Sequence, residues 1–104
     1  MKKDNNYLSS NLDISKYSIL VDVIEKIVVF TADDIPEIKL RERKAIRISR
    51  EDDVFSTMIN IKVKYGHDVQ AKCLELQKRL TDSMERMLNI KFDRIDVRVI
   101  GVYI

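Results

Sequence analysis

From Asp13 onward the apolar residues Ile14, Tyr17, Leu20, Val21, Ile24, Ile27 and Val28 recur at three- and four-residue intervals, with Ser15, Lys16, Asp22, Glu25 and Lys26 between them. That spacing lines the apolar side chains along one side of an α-helix. Asp13 or Ser18 is placed to cap its start, and Pro36 forces the residue before it out of helical dihedrals, so the helix is expected to end near Asp33 or Asp34. Its β-branched residues, Val28, Val29 and Thr31, lower intrinsic helicity, so this helix must depend on packing.

The period then changes to two. Lys44 to Arg50 alternates Ile46 and Ile48 with Arg47 and Ser49, which predicts a half-exposed strand, and Glu51-Asp52-Asp53 supplies the turn of a hairpin. The return strand sets Phe55, Thr57, Ile59, Ile61, Val63 and Tyr65 on one face and Ser56, Met58, Asn60, Lys62 and Lys64 on the other. One face is therefore core, and the other meets water or a partner. Gly66 permits a sharp exit, and Asp68 can cap a second helix from about Val69 to Leu88 with the stripe Val69, Cys73, Leu76, Leu80, Met84, Met87 and Leu88. Asn89 breaks it. Lys91 to Ile104 forms a last strand with Ile95, Val97 and Val99 inward and Arg94, Asp96 and Arg98 outward.

The expected fold class is α/β (α+β), with the order α-β-β-α-β and a three-stranded mixed or antiparallel sheet carrying both helices on one face. The link from the second strand through the second helix to the last strand is a crossover, right-handed in nearly all such units. The expected layout puts Lys44 to Arg50 in the middle, antiparallel to both other strands. Residues 1–12 are polar except for Tyr7 and Leu8 and read as a flexible N-terminal tail, leaving residues 13–104 as a single domain.

Composition agrees with a folded domain: 104 residues, 45% apolar and 35% charged. A net charge of +2 is too near balance to argue for a nucleic-acid or membrane partner by itself. One cysteine, Cys73, excludes an intrachain disulfide and suits a reducing compartment. No apolar run follows the basic start, so no signal peptide is expected and the protein should stay inside the cell. Ile19 to Phe30, broken by Asp22, Glu25 and Lys26, falls short of the ~20 apolar residues a bilayer span needs, so no direct membrane insertion is expected.

Candidate chemistry is sparse. His67, the one histidine, follows Gly66 in a turn, and its neighbour Asp68 is explained as a cap. Cys73 sits in an apolar stripe, where a free thiol behaves as a small hydrophobe and lacks the basic setting that would activate it. One histidine and one cysteine cannot make a zinc site without at least two carboxylates, and two glycines cannot build a phosphate-cradling loop. No catalytic residue, metal site or cofactor is expected.

Ile35-Pro36-Glu37-Ile38, Lys64-Tyr65-Gly66, Leu76-Gln77 with Leu80, Met84 and Met87, and the closing Ile95-Asp96-Val97-Arg98-Val99-Ile100-Gly101-Val102 follow one another in an order that resembles the alkaline shock protein family of bacterial envelope stress response proteins. The resemblance spans about Ile19 to Val102. Glu37 stands where a turn glycine is usual, Asp96 replaces the usual amide, and no charged extension follows Val102. What the resemblance implies is a cytoplasmic, non-catalytic interaction or scaffold protein of envelope, alkaline or cell-wall stress homeostasis, held near the membrane in some members by an anchoring partner. It carries over no catalytic residue.

Two surface features remain. Lys39, Arg41, Arg43, Lys44, Arg47 and Arg50 stand against Glu42 alone, a basic segment that could contact an anion or RNA. The element order is also similar to that of K-homology-type RNA-binding modules, though Tyr65-Gly66-His67-Asp68 has one glycine where their backbone clamp has two. A small RNA-binding module is thus the competing reading. At the C-terminus, Ile100, Val102 and Ile104 alternate opposite Val97 and Val99, leaving both sides of the strand apolar. Bare apolar area of this kind points to self-association or a protein partner, with the N-terminal tail folding over it as the alternative.

Overall fold

A computed structural model describes residues 14–40, 45–52, 54–89 and 92–104. The expected tail of residues 1–12 lies outside them, as do Asp13, Arg41, Arg43, Lys44, Asp53 and Lys91. In chain order the elements are α1 (Ile14–Asp33), β1 (Ile38–Leu40), β2 (Ile46–Glu51), β3 (Val54–Lys64), α2 (Val69–Leu88) and β4 (Phe92–Tyr103). The fold is a mixed sheet with two helices.

Helix α1 buries Ile24, Ile27 and Val28, the side its periodicity predicts, and adds Ala32. At its end the Asp34 N–H donates to the carbonyls of Phe30 and Thr31, both at 3.2 Å, and Pro36 bars a further turn. Ile35 and Ile38, on either side of that proline, are both buried and draw the chain onto the sheet. The three-residue β1 that results escapes the sequence pattern because it is too short to show a period.

The centre of the sheet is β3, a correction to the expected layout. β1 pairs antiparallel with Ile61 to Val63 and β2 antiparallel with Val54 to Ile59, while β4 runs parallel along nearly all of β3. A strand has two edges, so β1 and β2 follow one another along one edge of β3 and β4 takes the other. Length decides this: the eleven residues of β3 can hold two short partners on one side and a full-length one on the other, whereas the six of β2 cannot span β4. The helical crossover delivers β4 parallel to β3, as such a connection requires.

Glu51 pairs with Val54, leaving a two-residue hairpin loop in which Asp52 takes the left-handed conformation at φ 57°. Gly66 does the same after β3, at φ 91°. Helix α2 begins where the Asp68 Oδ1 accepts the Ala71 N–H at 3.0 Å and stops at Asn89, left-handed at φ 53°. It buries Leu76, Leu80 and Met84, with Cys73 and Leu88 half-buried; Met87, expected in the stripe, is 68% exposed because Leu88 takes the inward position of that turn.

Phe55, Ile59, Ile61 and Val63 form one core with Ile24, Val28, Leu76, Leu80 and Met84, so both helices cover the same face. Thr57, buried among them, donates its hydroxyl proton to the Arg47 carbonyl at 2.8 Å, which removes the cost of its burial. Gln77, on α2, donates to the Ile95 carbonyl at 2.7 Å and ties helix to strand.

A chain of charges fastens the turn after α1 to α2. Lys72 Nζ lies 2.8 Å from Glu37 and 3.3 Å from Glu75, and Arg79 lies 3.1 Å from Glu75 and 3.2 Å from Asp34. The hydrogen bond from Lys72 holds the Glu37 carboxyl below its ordinary range, and the same bond raises Lys72. Glu37 thus ties the turn after α1 to α2. The backbone there is not left-handed, since Asp52 and Asn89 are the non-glycine residues with positive φ among those described.

Candidate interaction surface on the open face of the sheet

With both helices on one side, no described element covers the other side of the sheet, and the strand registers say which residues share it. Lys39 on β1 sits opposite Lys62, and Arg47 on β2 opposite Met58. Along β4, Arg94 is level with Ser56, Asp96 with Met58, Arg98 with Asn60 and Tyr103 with Lys64. These β3 positions alternate with the buried ones, so their neighbours share the open face.

Six cations therefore gather there: Lys39, Arg47, Lys62, Lys64, Arg94 and Arg98. The acids among them are Asp96 near the centre and Glu51 at the hairpin end. Arg94 lies 3.3 Å from Asp96. Among the described residues no carboxylate pairs with Lys39, Arg47, Lys62, Lys64 or Arg98.

Lys39 and Lys62 are directly opposite like charges, an arrangement that opposes sheet pairing. Two local contacts soften it. The Lys39 ammonium lies 4.5 Å from the centre of the Tyr103 ring, whose hydroxyl donates to the Pro36 carbonyl at 3.1 Å. The Lys62 stem crosses Gly101, where a Cβ would lie 3.7 Å from Lys62 Cε.

Of the basic segment read from the sequence, Lys39 and Arg47 belong to this surface. Arg50 does not: it is level with Phe55 on the helix side, with its guanidinium 5.7 Å from the Tyr17 ring centre and its Nε donating to the Asp52 carbonyl at 2.6 Å. Lys62, Lys64, Arg94 and Arg98 complete the set. Their outward alternation is visible in the sequence, but their assembly with Lys39 and Arg47 depends on strand order.

The C-terminal residues are exposed as expected, with Ile100 at 43%, Val102 at 54% and Ile104 at 105%. Their shared face is corrected by a bulge. Ile61 is level with Val99 but Lys62 with Gly101, so Ile100 is an extra residue and Val102 falls level with buried Val63, on the same side as Val99. Asp93 is a second extra residue near the start of β4.

His67 is exposed in its turn. Cys73 is half-buried against the core, and burial pushes its thiol above the ordinary range, which lowers its reactivity. Among the described residues, no cluster of three or more histidine, cysteine or acidic side chains is placed to hold a metal, and no helix is long and apolar enough to cross a membrane. What this arrangement can do is attract and hold anionic groups over a broad face. Comparison with known proteins finds no matching family model, curated protein or solved structure.

Proposed function

We propose that this chain is a non-catalytic interaction domain of bacterial envelope stress homeostasis, acting in the cytoplasm by docking other macromolecules on the open face of its sheet. The observation that carries this reading is the cationic array on a face that neither helix covers, five of whose six members have no carboxylate partner among the described residues. Charges so arranged cost the isolated domain some repulsion and are compensated when a partner of opposite sign arrives. The envelope role follows from the resemblance to alkaline shock proteins, and an anchoring partner would bring the domain to the membrane surface. Exposed Val102 and Ile104 offer a second contact, for another copy or for that partner. The competing RNA module built on the whole Lys39 to Arg50 segment loses one member, since Arg50 packs on the helix side.

The test is complementation of a deletion strain shifted to alkaline medium. A chain with His67→Ala and Cys73→Ala should restore growth as the wild type does, and one with Arg94→Glu and Arg98→Glu should not. Restoration by the second and failure of the first would reverse the reading. Light scattering of a Val102→Ser, Ile104→Ser chain should show a smaller particle than wild type, and equal masses would remove the C-terminal contact.

A further inference from the structure

We propose that the open face of the sheet binds the sugar-phosphate backbone of a single-stranded nucleic acid. This rests on the docking reading above and adds the class of partner. Three features of the surface favour it over other anionic partners.

The first is the regularity of the charge. Lys62 and Lys64 lie two residues apart on β3, roughly 6.6 Å at the rise of a strand, and Arg94 and Arg98 lie four apart on β4, roughly twice that, with Asp96, 3.3 Å from Arg94, as the one carboxylate between them. A repeating array matches a polymer with a charge on every unit better than the irregular carboxylates of a folded protein. The neutralised phosphates would release their counterions, which supplies the driving force.

The second is what lies between the cations. Ser56 and Asn60 offer hydroxyl and amide groups, and Met58 and Tyr103 offer apolar area, on the same face. Such a mixture suits the exposed edges and faces of unpaired bases, whose backbone is fixed by the charges around them. The third is where the apolar anchors are. Phe30 and Met87, at 80% and 68% exposure, project from α1 and α2 on the other side of the molecule. A lipid surface is held by cations and apolar side chains acting together, and Phe30 and Met87 stand beside Arg79 and Arg86, offset there by Asp34 and Asp82, rather than beside the six cations of the open face.

Fluorescence anisotropy of a labelled twelve-nucleotide RNA of mixed sequence, titrated with the full chain at several salt concentrations, tests this. Binding should weaken with salt along a log–log slope of about −3 to −4, the value for four to six neutralised phosphates on a single strand. Lys62→Glu with Arg98→Glu should weaken it at least about tenfold at 100 mM salt, and the milder Lys62→Gln with Arg98→Gln should weaken it less. The charge-matched control, Lys26→Glu with Lys78→Glu on the helices, should change affinity less than about twofold, with melting curves showing all variants folded. Absence of binding at the lowest salt, or an equal loss in the control, overturns the proposal. So does binding of polyglutamate or of phosphatidylglycerol vesicles that equals RNA binding and depends on the same open-face pair. In any of these cases a failure of Arg94→Glu, Arg98→Glu to complement still supports docking, so the partner class and the docking role fail separately.

Discussion

Excision of Ile100 should leave the sheet in register. Across the bulge, Ile61, Lys62, Val63 and Lys64 are level with Val99, Gly101, Val102 and Tyr103, so Ile100 is the residue that has no partner on β3. Removing it produces an unbroken ladder in which Tyr103 keeps its place. Tyr103 makes two contacts whose loss would be measurable. Its hydroxyl bond to the Pro36 carbonyl is worth about 0.5–1 kcal/mol net at an exposed site, and the Lys39 ammonium over its ring a similar amount. Ile100 itself is 43% exposed, so its removal forfeits little burial. The expected change in unfolding free energy is therefore less than about 1 kcal/mol. Strict alternation along β4 would instead hold Tyr103 on the helix side in the wild type, without either contact, and turn it to the open face only on deletion, a gain of about 1–2 kcal/mol in all. Urea unfolding of four chains decides between them: wild type, the Ile100 deletion, Tyr103→Phe, and the combination. Tyr103→Phe should cost the same in both backgrounds. A cost found only in the shortened chain would refute the bulge.

Leu80→Ala, at a fully buried position facing the sheet, should cost about 2–5 kcal/mol in denaturant unfolding, with no loss of secondary structure at low temperature. Asp68→Ala should cost about 1 kcal/mol through loss of the cap on α2, and Asp68→Ser should recover most of it. The Glu37–Lys72 pair has a signed pH signature. A lowered carboxyl adds stability that is present above its ordinary value of 4.5 and is lost as pH falls through the folded value. A raised ammonium adds stability that is full below 10.5 and is lost as pH rises through the folded value. The melting-temperature gap between wild type and Lys72→Met should thus be widest between those limits and close beyond both; a gap independent of pH would refute the pairing. Cys73 should react with a thiol reagent at pH 8 more slowly in the native chain than in urea, and equal rates would show that the thiol is not shielded.

Much of the fold is written in local periodicity. The three- and four-residue spacing located α1 and α2, because a helix with one apolar side admits no other spacing. Alternation located β2, β3 and β4 and separated buried Phe55, Ile59, Ile61 and Val63 from outward Lys62 and Lys64. Asp68, Gly66 and Asn89 marked ends through backbone preferences that act over a few residues. Five of the six cations of the candidate surface, all but Lys39, were legible in the same way, as polar positions on separate alternating strands.

Tertiary structure decided what touches what. Whether β2 or β3 takes the centre depends on matched strand lengths, which no local window contains, and with it goes the gathering of Lys39, Arg47, Lys62 and Arg98 on one face. The bulge at Ile100 is invisible to alternation because the extra residue is defined against β3 rather than against its own neighbours. The same holds for Glu37 and Lys72, 35 residues apart, whose attraction begins only when folding brings them within 2.8 Å. Periodicity reports the side a residue must bury, a preference set within its own segment; partners are chosen by the packing of segments against one another, where shape, length and charge are satisfied together.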